Sequence, residues 1–189
     1  VAWPLSGPSP EAQHQEDLRL DESSVTAQNP EQTLEDGPRA VSAITGESVR
    51  EDLGGAQDIR ALAARVPGLN IETSNGRTQP RFYLRDLGNI DFDVNANQPV
   101  AMVYDEISLE NNVLRSLPLF DIERVEVLKG PQGSLFGRNT NAGAIKIDSV
   151  RPDSEVQNGY VRASYGSRDT VNLEGASNFF MSDTFSMRA

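Results

Sequence analysis

Residues 121–147, DIERVEVLKGPQGSLFGRNTNAGAIKI, constrain the fold more than any other part of the chain. Val125-Glu126-Val127-Leu128 is short, with three apolar residues of which two are β-branched, and predicts a buried strand. It runs directly into a coil punctuated by Gly130, Gly133, Gly137 and Gly143. Glycine at that density permits positive φ and close backbone approach, so the coil can lie flat against a sheet. A second strand, residues 144–148, follows. A phosphate-cradling loop would need four residues between its glycines and then Gly-Lys-Ser/Thr. Here Gly137 is followed by Arg138-Asn139, and Gly130-Pro131-Gln132-Gly133 lacks the dinucleotide spacing. The run predicts a strand–coil–strand packing unit and argues against a nucleotide loop.

The 189 residues suffice for one domain with a core and a tail. Residues 1–38 hold one basic residue, Arg19, against eight acids, so most of the net charge of −11 lies there. Such a segment cannot bury enough apolar surface to offset its ordering entropy, which predicts a disordered acidic N-terminal tail. The remaining body is close to neutral. No Lys/Arg stripe offers a partner for a phosphate backbone, so no nucleic acid is expected. The absence of Cys removes disulfides, thiolate metal sites and cysteine nucleophiles, and the only His, His14, sits in the tail. No metal and no cofactor are expected, and no enzyme: the carboxylates are scattered and no His or Cys accompanies them. No run reaches the ~20 apolar residues of a membrane-spanning helix. Val1-Ala2-Trp3-Pro4-Leu5 fits either the end of a signal peptide, cleaved after Ala12, or a plain flexible start.

Ordered structure is expected from Ala40. Residues 40–45 predict a strand and 47–52 a short helix. Residues 58–65 predict a second helix with Ile59, Leu62, Ala63 and Val66 on one face, stopped by Pro67-Gly68. Short strands follow at 69–73 and 81–84. The Asn/Asp-rich residues 88–98 predict an exposed loop, and residues 99–109 a hairpin around Asp105-Glu106. Residues 117–122 suit a short apolar turn or helix. Beyond Arg151-Pro152 the polarity alternates with period two over residues 159–165 and 169–176. That is the weak signature of membrane β-barrel strands and equally of a half-buried antiparallel sheet.

Ile122 to Pro131, Leu135-Phe136-Gly137 and Gly143-Ala144-Ile145 resemble, in order, the hallmark of the plug domain of TonB-dependent receptors. The resemblance extends upstream through Val66-Pro67-Gly68-Leu69 and Leu84-Arg85-Asp86-Leu87-Gly88. It includes Val103-Tyr104-Asp105-Glu106-Ile107 and covers residues 21–152. Asp86 and Glu106 stand where that family usually carries glycine, which implies an altered turn or local strain.

The resemblance implies an α+β fold: a plug domain with a small mixed β-sheet and short helices over 39–152. It implies a flexible periplasmic tail over 1–38 and the start of a transmembrane β-barrel over 153–189. The segment Asp21, Glu22, Ser23, Ser24, Val25, Thr26, Ala27 resembles the family's TonB box, an extended peptide that adds as a strand to the periplasmic partner TonB, itself driven by an inner-membrane energising complex. Arg85 and Lys129 sit where the family places basic residues that pair with acids on the inner barrel wall. Asn75, Arg77, Asp91, Asp93, Asn95, Asn97, Asn111 and Asn112 lie in loops matching the plug apices, which face a small-molecule ligand such as a metal chelate. Asp91-x-Asp93-x-Asn95 lacks the glycine and terminal glutamate of a calcium loop.

Energised uptake through the outer membrane is therefore the expected function, exemplified by ferric siderophore uptake. The alternative is a stand-alone plug-like module that binds a periplasmic partner. Residues 156–189 separate the two: strands awaiting a barrel favour the first, and closure onto the plug favours the second.

Overall fold

The computed structural model describes residues 24–25, 32–33, 40–52, 58–73, 76, 78–93, 95–116, 118–153, 157–182 and 185–189. Two short strands in the tail, β1 (Ser24–Val25) and β2 (Gln32–Thr33), pair antiparallel. The rest of the predicted tail lies outside the described residues. The body is built on a five-stranded sheet. Its members are β3 (Ala40–Thr45), β6 (Val100–Tyr104), β7 (Ile107–Ser108), β8 (Ile122–Lys129) and β9 (Gly143–Ser149), in the order β3-β8-β9-β6-β7. β6 and β9 run parallel and every other pair is antiparallel, so the sheet is mixed, as expected. Helix α1 (Gly46–Asp52) follows β3 directly. Strands β4 (Leu69–Glu72) and β5 (Arg81–Leu84) form a separate antiparallel pair.

Alternation along the central strands splits their side chains between two faces. Val125, Val127, Ile145 and Ile147 point to one face, where they pack with Ile59, Leu62, Phe82 and Leu84 in the main core. The other face carries Arg124, Glu126, Lys146 and Asp148, with Arg124 opposite Asp148 and Glu126 opposite Lys146. Arg124 Nε lies 3.1 Å from Asp148 and 3.5 Å from Glu126, and Lys146 Nζ lies 2.9 Å from Asp148. Glu126, Lys146 and Asp148 are buried, so each charge needs the others.

Residues 58–65 do not form the α-helix that their periodicity predicts. Ile59–Ala64 is a 3-10 helix. Asp58 caps it by accepting the Arg60 amide at 3.0 Å, and Arg65 N–H reaches only as far back as Leu62 O. With Pro67 close behind, the segment has room for two tight turns, and short helices commonly close with i→i+3 bonds. The apolar face survives the tightening, with Ile59, Leu62 and Val66 buried. Among the described residues of the turn or helix expected over 117–122, none is helical: Phe120 N–H donates to Pro118 O at 3.1 Å, Ile122 already opens β8, and a separate 3-10 turn lies upstream at Leu114–Ser116.

The glycine coil folds as the sequence implies. Gly130 N–H donates to Ala142 O and Gln132 N–H to Thr140 O, so the coil continues the β8–β9 ladder beyond the strands. A one-turn helix, α2 (Gly133–Phe136), sits at its tip. Gly143 has φ +153°, and a Cβ there would lie 2.2 Å from Leu128 O.

After the linker come β10 (Gly159–Gly166), β11 (Thr170–Ser182) and β12 (Phe185–Arg188), an antiparallel meander separate from the other sheets.

Candidate functional site

Two tight turns carry the departures from the glycine pattern. Arg85 and Asp86 have φ of 51° and 65°, and Asp105 and Glu106 have φ of 45° and 70°. Positive φ at both central residues is the type I′ geometry that two-residue hairpins favour because it matches strand twist. The turns are thus unaltered, and the non-glycine residues bear the strain. Asp105 gains compensation: its carboxylate accepts from Ser149 N–H and Oγ, each at 2.8 Å. Glu106 and Asp86 are exposed, and Arg151 meets Glu106 at 3.5 Å in an ion pair open to solvent.

Between β5 and β6, residues 88–98 form the larger apex loop. Asn89 Oδ1 accepts from Asp91 N–H at 2.9 Å, Asp91 Oδ1 from Asp93 N–H at 3.0 Å, and Asp93 Oδ1 from Asn95 N–H at 2.8 Å. Each side chain thus holds the backbone two residues on, a succession of Asx turns that stiffens a loop without regular structure. Asn89 Nδ2 closes the loop onto Asn97 O at 2.7 Å. The signal was present in the sequence as acids or amides at positions 89, 91, 93 and 95.

Under this loop Arg81 donates to Ile90 O at 3.2 Å and lies 4.4 Å from the centre of the exposed Phe92 ring. Gln79, Arg81, Asp91, Phe92, Asp93, Gln98 and Asn112 line a cavity of about 10 Å³, room for about one water. Arg81 and Gln98 carry no sequence signal of this role; they come to the loop's base because the turn at Arg85-Asp86 sends the chain back beside the start of β5, and β6 begins just after Gln98.

The second apex, residues 109–116, is held from below by Arg115. This side chain is 2% exposed and donates to Leu109 O at 3.0 Å and Val100 O at 3.2 Å. Burial pushes its pKa down to about 10, opposed by the nearby Glu110 carboxylate. At the surface Arg138 clasps Glu110 through two contacts, the Nε one at 2.9 Å, and this pairing holds the Glu110 carboxyl below its usual 4.5. The clasp ties the apex to the glycine coil.

The apex residues expected from sequence fall into three groups. Asp91, Asp93, Asn95, Asn97 and Asn111 are exposed on the two loops. Asn112 is turned inward, 4% exposed, and donates to Ala96 O at 3.1 Å, joining the loops. Asn75 and Arg77 lie outside the described residues. Of the segment 21–27 only Ser24 and Val25 are described, as β1; Asp21, Glu22, Ser23, Thr26 and Ala27 lie outside the described residues. Arg85 is exposed and Lys129 half-buried, and neither forms an ion pair with the described residues. The charged contact that does join the five-stranded sheet to the meander was not foreseen. Arg188 grips Asp121 across 67 residues, at 2.5 and 2.8 Å.

The family profile described as TonB-dependent Receptor Plug Domain matches residues 33–144, more than half of the chain. The chain belongs to the TonB-dependent receptor plug-domain family. The pesticin receptor of Yersinia pestis is 35% identical over 116 residues, covering 58% of this chain and 16% of that protein. The iron-regulated outer membrane virulence protein of Vibrio cholerae is 28% identical over 183 residues, covering 91% and 27%. Among solved structures, the ferric-catecholate import receptor Fiu from Escherichia coli K12 superposes with a TM-score of 0.64. That match has 28% identity over 83% of this chain and 21% of Fiu. The chain therefore spans about a sixth to a quarter of the length of these relatives. The Vibrio cholerae relative is named as an outer membrane protein and the other two as receptors, and the plug's location is the outer membrane.

Proposed function

We propose that this plug gates an outer-membrane receptor for energised uptake of a scarce ligand, a ferric siderophore being the leading class. The plug fold carries the reading, joined to a meander whose two faces differ in polarity. On one face of β10 and β11, Val161, Tyr165, Val171 and Leu173 are 70–82% exposed, and the face continues through Phe179 and its partner Met187. The opposite face carries Arg162 across from Glu174, with Asn172 and Asn178. Apolar-out and polar-in alternation is what a strand between lipid and a barrel lumen requires, and β11, with 13 residues, exceeds the roughly 9–11 needed to cross.

On this reading residues 1–38 are the periplasmic tail, 39–152 the plug and 153–189 the first barrel strands. The same polarity favours the receptor over a stand-alone module, for which an exposed apolar face of this size would be a liability. The siderophore class is supported by the names of similar proteins, which include a ferric yersiniabactin uptake receptor from Yersinia pestis. Gating requires only that ligand and TonB each bind one plug arrangement better than another. The ligand would meet the exposed apex residues Asp91, Asp93, Asn95, Asn97 and Asn111; Asn75 and Arg77, outside the described residues, are assigned the same role from the sequence alone. TonB would take residues 21–27 by strand addition, in competition with the β1–β2 pairing. Arg85 and Lys129, which form no ion pair among the described residues, would meet acids on a barrel wall.

The test deletes the gene and measures growth under iron limitation with individual ferric siderophores as the iron source. Binding of a peptide spanning residues 21–27 to the TonB C-terminal domain is measured alongside. Lost growth on at least one siderophore, together with peptide binding, is expected. Unchanged growth on every siderophore and no peptide binding would sink the proposal.

A further inference from the structure

The plug and the meander are joined covalently by one linker, and a single linker leaves a hinge free to swing. A second, non-covalent connection lies at the same corner. Asp121 immediately precedes β8, and its carbonyl accepts from Val150 N–H at 2.9 Å, just where the chain leaves β9. Its carboxylate takes both Nε and Nη2 of Arg188, at the end of β12, in a fork-to-fork pair whose side chains are only 11% and 10% exposed. Parallel N–H···O bonds fix orientation as well as distance, which a single contact does not. Arg188 also reaches Asn158 Oδ1 at 3.2 Å, and Asn158 O accepts from Asn178 N–H at 2.7 Å. Asn178, 3% exposed on β11, clasps the linker reciprocally: its Nδ2 donates to Asp153 O at 2.6 Å and its Oδ1 accepts from Asp153 N–H at 3.2 Å. Asp121 is held at φ 49°, a conformation that a non-glycine residue keeps only when its surroundings enforce it.

We propose that Asp121–Arg188, backed by the Asn178–Asp153 clasp, is a fixed anchor that removes the swing between plug and meander. This corner is then the pivot for plug rearrangement and does not itself open. The placement suits that role, because the tail joins the sheet at Ala40, opposite Lys129, at the far end of β8 from Asp121. An eight-residue strand separates the two points by roughly 23–27 Å at 3.3–3.4 Å per residue. A pull arriving through the tail is therefore applied far from the anchor. The inference rests on the reading of β10–β12 as strands fixed in a barrel.

The chain has no Cys, so two introduced cysteines can be spin-labelled without background. Labels at Ser134→Cys on α2 and Val171→Cys on β11, in the full chain reconstituted in lipid, report the distance distribution between plug and meander. A narrow distribution is expected in the parent. Asp121→Ala and Arg188→Ala should broaden it equally, and combining them should add nothing. The exchange Asp121→Arg with Arg188→Asp should restore the narrow form, which separates a lost pair from misfolding. If the exchanged pair does not fold, Arg188→Lys decides: a width between parent and Arg188→Ala supports the anchor, and one equal to Arg188→Ala overturns it. A broad parent, or single variants as narrow as the parent, also overturns it. None of these readouts uses TonB or a ligand, so the anchor and the uptake reading fail separately.

Discussion

Glycine would relieve backbone strain at two positions where this chain carries an acid. A left-handed conformation costs an L-residue roughly 1–2 kcal/mol, and glycine surrenders part of that gain as extra unfolded-state entropy. Asp86→Gly and Glu106→Gly are each expected to stabilise the plug by about 0.5–1 kcal/mol, read from the denaturant midpoint. Asp105→Gly should do the opposite despite the same backbone sign, because it deletes the two bonds to Ser149. The Glu110–Arg138 clasp adds a pH dependence. Glu110 has its pKa lowered in the folded state, so its contribution is fully present above the unfolded value of 4.5 and is lost as pH falls through the lowered value. The stability difference between the parent and Arg138→Ala should therefore shrink toward zero on acidification. A difference that stays constant down to pH 3 would mean that the clasp is not electrostatic.

In the β8–β9 pair, four charges alternate in sign both across and along the strands, so the ladder neutralises itself in one register only. Slipping β8 by a single residue would turn these charges into the apolar core and bring Val125 and Val127 out. Lys146→Met leaves Glu126 and Asp148 as buried acids without their ammonium, and a loss of about 3–5 kcal/mol is expected. Adding Glu126→Leu to it should recover much of that loss, since an apolar pair of similar volume needs no desolvation. Equilibrium unfolding of the two variants decides; a double variant no better than Lys146→Met would mean that the site holds charge for another reason. Gly143→Ala tests the junction of the coil with β9. The added methyl meets Leu128 O and the Leu84 side chain, so β8 and β9 must part where they are most buried.

Taken as a whole, the molecule joins a plug with a sealed core to a meander whose apolar face is uncovered. If that face meets lipid, Leu173→Arg should cost roughly 2–4 kcal/mol near the bilayer midplane, while Asn172→Arg on the lumen side should cost little. Folding yields of the two variants in lipid test this; equal yields would remove the lipid contact. The elements of this architecture were largely legible from local pattern. The strands at 40–45, 81–84 and 100–104 announce themselves by apolar content and by the glycine, proline and acidic residues that bound them, because such signals act within a few residues. The glycine coil was legible for the same reason: its backbone demands exclude most other residue types. Three features were not, and two of them depend on atoms far apart in the chain. Ile59–Ala64 winds as a 3-10 helix under the Asp58 cap, with Ala61 N–H bonded to Asp58 O and Arg65 N–H to Leu62 O, a choice of hydrogen-bond partner that periodicity does not register. Arg115 looks like a surface charge until the carbonyls of Val100 and Leu109 surround it. Asp121 and Arg188 carry nothing in their neighbourhoods to pair them, since only the path of the chain through β9 and the linker brings β12 back to the start of β8. Local stereochemistry and hydrophobic period decide elements, whereas a charge's partner is decided by desolvation and by which distant strands the packed core places beside it.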